Sequence, residues 1–163
     1  MPKKFIYLLL ALILPIGVFV FLRMFGKNEF TIPVYYEQGV SDLQPSCTFT
    51  YPVPYTIPDS IMQRIGWASD KLVVLLVADT SSVVDLGLKH LQEEFEANDF
   101  QIIYPSGEND SWDHWYACFF FLKRPWSAVL IDSEKRIRGY YAPNSREEVD
   151  RLIVEMKILL KKY

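Results

Sequence analysis

Apolar residues run without a charge from Phe5 to Leu22, with Lys3 and Lys4 ahead of the run and Arg23 and Lys27 behind it. Eighteen residues at helical rise cover about 27 Å, enough for a bilayer core and longer than the apolar stretch of a usual signal peptide. The run predicts one uncleaved membrane-spanning helix, because no small-residue cleavage site follows it and no cysteine lies near its end to take a lipid. Pro15 and Gly17 inside it are tolerated by a membrane helix. The flanking charges bias the N-terminus slightly towards the cytoplasm.

The pattern then changes. Between Phe30 and Pro58 five prolines interrupt two clusters of aromatic and β-branched residues, which excludes regular helix and predicts extended segments with turns. "IPVYY" reads as a short edge strand, "CTFTY" as an alternating strand, and "DSIMQRIGW" as one or two helical turns capped by Asp59 or Ser60. From Leu72 the uninterrupted run "LVVLLVA" suits a central strand covered on both faces. Ser82 and Asp85 give a capping-box-like start to a helix with Val84, Leu88, Leu91 and Phe95 on its apolar face, expected to end at Asn98–Asp99.

"FQIIYP" completes a strand–helix–strand unit, and "SGENDSWDH" reads as a surface loop. The run "WYACFFFLKRP" is too uniform to divide by period, so helix turn and strand both stay open. "SAVLID" and "RIRGYY" flank the polar "SEK" as a hairpin. The last helix carries Val149, Leu152, Ile153, Met156, Leu159 and Leu160 on one face, with a capping box from Ser145 and Glu148. The order β-α-β, connection, β-β-α predicts an α/β thioredoxin-like fold, a mixed sheet with helices on both faces, after one N-terminal transmembrane helix. The expected parts are an anchor over 1–28, a proline- and aromatic-rich segment over 29–58 and the thioredoxin-like domain over 59–163.

Composition narrows the function. Half of the residues are hydrophobic, so the chain beyond the anchor folds, and a net charge of −3 with interspersed signs offers no basic face for nucleic acid. The two cysteines, Cys47 and Cys118, stand 71 positions apart, in neither a C-x-x-C nor a zinc-ligand spacing. In an oxidising compartment they can pair; otherwise they are unpaired thiols, at least one packed as a small hydrophobe.

The stretch "AVLIDSEKRIRGYY" followed by "SREEVDRLIVEMKILL", with "YTIPDS" ahead of the first core strand, resembles the thioredoxin-like SCO/SenC family. The likeness runs from Tyr55 to Leu160 and is strongest from Val129 onwards. The resemblance implies a membrane-tethered domain facing the extracytoplasmic side, periplasmic in a two-membrane bacterium, and assistance in assembling the copper centre of cytochrome oxidase. It implies copper as cofactor, but the family's C-x-x-x-C after the first core strand is "DTSSVVD" here, and "LKRPWSAV" lacks the family's histidine. Hydroxyls do not replace thiolates for copper(I) or in disulfide exchange. No cofactor is therefore expected.

At the family's reactive position stand Asp79, Thr80, Ser81 and Ser82, read as a helix start or as a polar contact surface. "DSWDHWYAC" gathers Asp110, Asp113, His114 and Cys118, and on a helix His114 and Cys118 would share a face as two candidate metal ligands. His90 reads as a surface residue. Trp112, Trp115, Trp126 and Phe119 to Phe121 are expected mostly in the core. No catalytic set is expected. The sequence therefore reads as a non-catalytic binding or assembly module with protein partners, anchored through Phe5 to Leu22. Its alternatives are a thiol-redox or metal-binding protein using Cys118 and His114, with Cys47, and a structural subunit of a membrane complex.

Overall fold

The computed structural model describes residues 3–25, 30–41, 46–68, 73–78, 82–104 and 111–161. They form two units, 1–30 and 31–163, so the proline-rich segment belongs with the domain and does not stand apart from it. The first unit is one helix, α1 (Lys3–Phe25), 23 residues long with Pro15 inside, a length of about 34 Å at helical rise. Its described side chains from Ala11 to Met24 are all exposed. Among the described residues no helix is long and apolar enough to cross a membrane. The side chains of Phe5, Ile6 and 8–10, which belong to the apolar run, lie outside that set.

The second unit is mixed α/β. Its elements are α2 (Asp59–Arg64), β1 (Val73–Val77), α3 (Ser82–Glu94), β2 (Phe100–Ile103), α4 (Ser111–Cys118), β3 (Ala128–Asp132), β4 (Ile137–Tyr141) and α5 (Arg146–Leu159). The strands form one sheet in the order β2-β1-β3-β4. β1 runs parallel to β2 and antiparallel to β3, and β3 pairs antiparallel with β4. A parallel pair needs a crossover, which α3 supplies, whereas the β3–β4 pair needs only the short turn after Asp132.

Alternation along β3 builds two cores. Ala128 and Leu130 face α3 and α5, joining Val84, Leu88, Leu152 and Met156. Val129 and Ile131 face the other side, joining Tyr55, Ile57, Met62 and Phe120. β4 keeps to both cores through a bulge: Leu130 lies opposite Gly139 and Ile131 opposite Ile137, leaving Arg138 as the extra residue. Gly139 is needed where it stands, since a Cβ there would overlap the ring and hydroxyl of Tyr141, the next residue on that face. Gly87 plays the same part on α3, where a Cβ would lie 2.5 Å from the Pro143 carbonyl oxygen.

The hairpin is organised by one carboxylate. Asp132 is 6% exposed, the one buried charged residue among those described. Its Oδ1 accepts from the amides of Glu134 (2.9 Å) and Arg136 (3.0 Å), and its Oδ2 from Arg136 Nε (2.8 Å) and Arg138 Nη1 (3.1 Å). Arg138 reaches on to donate to the Ile32 carbonyl. The amide of Tyr35 donates to Ile137 O at 2.9 Å, so the N-terminal segment covers the open edge of β4.

Several local expectations change here. "IPVYY" is no strand: Pro33 has no amide to give and Tyr36 takes φ 59° in a turn, so a strand ladder cannot run through it. Residues 47–51 are irregular, and Tyr51 packs on Tyr55 and Phe121 with ring centroids 5.6 and 5.5 Å apart. Pro58, not Asp59 or Ser60, stands at the N-cap of α2, and the Asp59 carboxylate pairs with Lys135. α3 stops at Glu94, because the Asp99 carboxylate takes the Glu96 amide at 2.9 Å to close a separate turn. Ser145 is the N-cap of α5 without a side-chain cap bond; Glu148 instead binds Arg151 at 2.8 Å and lies 3.4 Å from the Ala142 amide. "SWDH" is not loop but the first half of α4.

Removing the carboxylate would strand Arg138, whose side chain is 11% exposed. Asp132→Ala is therefore expected to cost about 3–5 kcal/mol, read as a fall in the urea midpoint at unchanged slope. Asp59→Ala, at the exposed end of the Lys135 pair, should cost at most about 1 kcal/mol.

Candidate functional site

α4 ends at Cys118, and its amphipathic sequence sets what each face meets. Cys118 and Phe119 to Phe121 are buried, Trp115 is half-buried beneath the Arg64 guanidinium (5.6 Å from the ring centroid), and His114 is exposed. After Cys118 the chain turns inward, with Phe121 at φ 50°. Two tyrosines from other segments satisfy the carbonyls left there: Tyr55 Oη donates to Phe119 O at 2.7 Å and Tyr140 Oη to Phe120 O at 2.8 Å. Neither carbonyl is buried without a partner, which would cost about 1–3 kcal/mol.

Cys47 meets this helix end. The structure joins it to Cys118 in a disulfide with Cα atoms 5.4 Å apart, and no cysteine is free. The bond ties the irregular segment before Tyr51 to the end of α4. His114, one turn back on α4, brings Nδ1 to 3.7 Å from Cys118 Sγ. Phe49 packs against both His114 and Phe119, with ring centroids 5.9 and 4.7 Å away. Beside it opens a cleft of about 510 Å³ lined by Gln38, Val40, Phe49, Tyr51 and Val53. Thus Cys47, His114 and Cys118 converge on one spot.

The other singled-out residues do not join it. Asp79, Thr80, Ser81 and Asp110 lie outside the described residues; Ser82 begins α3, and its side chain, like those of Asp113 and Trp112, is also outside them. His90 is exposed on α3, with Nδ1 3.8 Å from Glu93 Oε2. Trp126 is 38% exposed ahead of β3. Among the described residues no group of three or more His, Cys, Asp and Glu is arranged to hold a metal ion.

Phe49 is the residue that sequence reasoning missed. Its alternating neighbours read as a strand, and only the disulfide brings it over His114. Arg151 is another: it donates to Tyr140 O at 2.8 Å, binds Glu148 and Glu155, and lies 4.5 Å above the Tyr141 ring. Its i to i+4 relation with Glu155 was a legible signal.

Burial holds the Tyr55, Tyr140 and Tyr141 hydroxyls far above the ordinary phenol value of 10.0, helped at Tyr140 by the Tyr36 hydroxyl and at Tyr141 by Glu155. These groups stay neutral in the fold, while in the unfolded chain they ionise above that value. Their contribution is complete below pH 10.0 and falls as pH rises above it, by about 1.4 kcal/mol per pH unit for each tyrosine. Urea midpoints between about pH 8 and 11 should stay level and then drop, with the tyrosinate absorbance of Tyr55, Tyr140 and Tyr141 appearing only on unfolding. The disulfide closes a loop of 71 residues, so the Cys47→Ser, Cys118→Ser double variant should lose about 4 kcal/mol by the chain-entropy model. The difference between its unfolding curve and that of the oxidised parent measures this.

Compared with known proteins, the chain matches no family model and no curated protein.

Proposed function

We propose that this protein is a membrane-anchored, extracytoplasmic thioredoxin-like domain of SCO/SenC type that works as a non-catalytic binding or assembly module. One observation carries the reading: both cysteines of the chain are bonded to each other at the end of α4, so none serves the stretch between β1 and α3. In sequence, residues 79–81 follow the strand β1 and precede the helix α3, the position from which thioredoxin-like domains present their thiols. They offer a carboxylate and hydroxyls, which neither exchange disulfides nor bind copper(I) as thiolates do.

Three further points support the reading. The sheet order β2-β1-β3-β4, with α3 as crossover and α5 after the hairpin, is the arrangement expected of a thioredoxin-like domain. The uncharged run from Phe5 to Leu22 lies within a single helix and is the segment that would span the membrane. A buried disulfide fits an oxidising compartment, where such bonds form and persist. What remains for function is contact: a domain held at the membrane and offering its surface to protein partners.

Expression of the full chain in a bacterial membrane tests this. The protein should stay with the membrane after carbonate washing, and a form beginning at Thr31 should be released. In intact cells Cys47 and Cys118 should resist a maleimide until a reductant is added. In an insulin-reduction assay the chain should show no turnover. Free thiols in untreated cells, or release of the full chain by carbonate, would contradict the reading.

A further inference from the structure

We infer that reduction of the Cys47–Cys118 bond uncovers a zinc site, with Cys47 Sγ, Cys118 Sγ and His114 Nδ1 as ligands and solvent in the fourth position. The inference is independent of the anchoring and binding-module reading. Its chemistry starts from an external thiol of the reductase or glutathione class. Two thiols give up their hydrogens and join as a disulfide, and the protein disulfide becomes two thiols. Zinc then displaces the two thiol protons to solvent, since the thiolate is the ligand.

The geometry is already close to what the ion requires. Zinc holds thiolate sulfur at about 2.3 Å and imidazole nitrogen at about 2.0–2.1 Å. With a tetrahedral angle between them, sulfur and nitrogen stand about 3.6 Å apart by those bond lengths. His114 Nδ1 and Cys118 Sγ stand 3.7 Å apart in the oxidised protein. Two of the three donors therefore already stand at the separation the ion needs, on the face that their i to i+4 relation on α4 gives them. The two sulfurs, once unbonded, need a separation of about 3.8 Å for the same ion. Cα atoms 5.4 Å apart allow that by side-chain rotation alone.

The surroundings favour the ion as well. The Phe49 ring, 5.9 Å from that of His114, restricts the imidazole on one side. Cys118 is the last residue of α4, so the cation would sit at the helix end whose carbonyls attract positive charge. Cys47 and Cys118 are buried while His114 is exposed, which leaves the open coordination position towards solvent. A Cys₂His set with solvent as fourth ligand is a stable zinc arrangement. In the oxidised chain the sulfurs are spent on each other, so binding is gated by the redox state of this one bond.

The experiment uses the full chain in detergent, reduced with a phosphine, freed of reductant without air and titrated with Zn²⁺ against a chromogenic chelator. The oxidised chain is run beside it. One equivalent should bind to the reduced chain and none to the oxidised one. His114→Ala, a change at an exposed position, should weaken binding by at least about tenfold, and Cys47→Ser or Cys118→Ser should abolish stoichiometric binding. Co²⁺ in place of Zn²⁺ should give thiolate-to-metal charge-transfer absorption that decreases in His114→Ala. A reduced chain that takes no zinc overturns the inference, as does a His114→Ala variant that binds as tightly as the parent. So does a reduced chain that loses its far-ultraviolet ellipticity and does not recover it when zinc is added.

Discussion

The carboxylate of Asp132 is the point on which the domain turns. A buried charge is tolerable only when paired and hydrogen-bonded, and here two backbone amides and two arginines meet it. The amides close the β3–β4 turn, and Arg138 occupies the bulge that resets β4. Without that extra residue, Ile137 and Tyr140 could not both face the core containing Val129 and Ile131. With it, Tyr141 still reaches the opposite core beside Leu152 and Met156. One carboxylate, paired with two arginines, thus holds the alternation of a strand that serves two layers.

The same arginine extends the order outward. Its second contact, to the Ile32 carbonyl, holds the start of the N-terminal segment against the edge of β4. From there Tyr36, Tyr51 and Tyr55 pack with Phe121, and the Cys47–Cys118 bond fastens the far part of the segment to α4. A segment interrupted by five prolines is therefore ordered by scattered backbone bonds, ring packing, tyrosine hydroxyls and one covalent bond. This is how a segment without regular structure forms most of one wall of a core.

The sequence made the repetitive parts legible. β1, α3, β3, β4 and α5 follow from runs and periods that local physics fixes: Val84, Leu88 and Leu91 recur as a helix requires, and "SEK" is too short for anything but a hairpin. The mistaken parts are those decided at a distance. "CTFTY" alternates like a strand, but its rings face aromatic neighbours and no strand among the described residues pairs with it. Glu148 has the spacing of a capping box, but the Ser145 amide it would cap already donates to Ala142 O, and its carboxylate pairs with Arg151 instead. Asp59 similarly leaves its cap for Lys135. At the candidate site, His114 and Cys118 were placed on one face by helical spacing alone. Cys47 was the one candidate partner for Cys118, but whether the two pair was not readable, since 71 residues of intervening chain carry no local signal of where Cys47 returns.

The pairing of these cysteines also separates two questions that the family resemblance had joined. In the resembling proteins the thiols stand at the start of the first core helix, so fold and chemistry share one place. Here the bonded sulfurs lie at the end of α4, against a segment that comes before the first core strand. Support comes from that bond, from the Asp132 hub and from the two cores. None of these needs a particular side chain between β1 and α3. In sequence, hydroxyls and a carboxylate stand between β1 and α3, residue types that suit a helix start. The absence of thiols there is consistent with a fold whose support lies elsewhere, at the hub of Asp132 and where Cys47 and Cys118 meet beside His114.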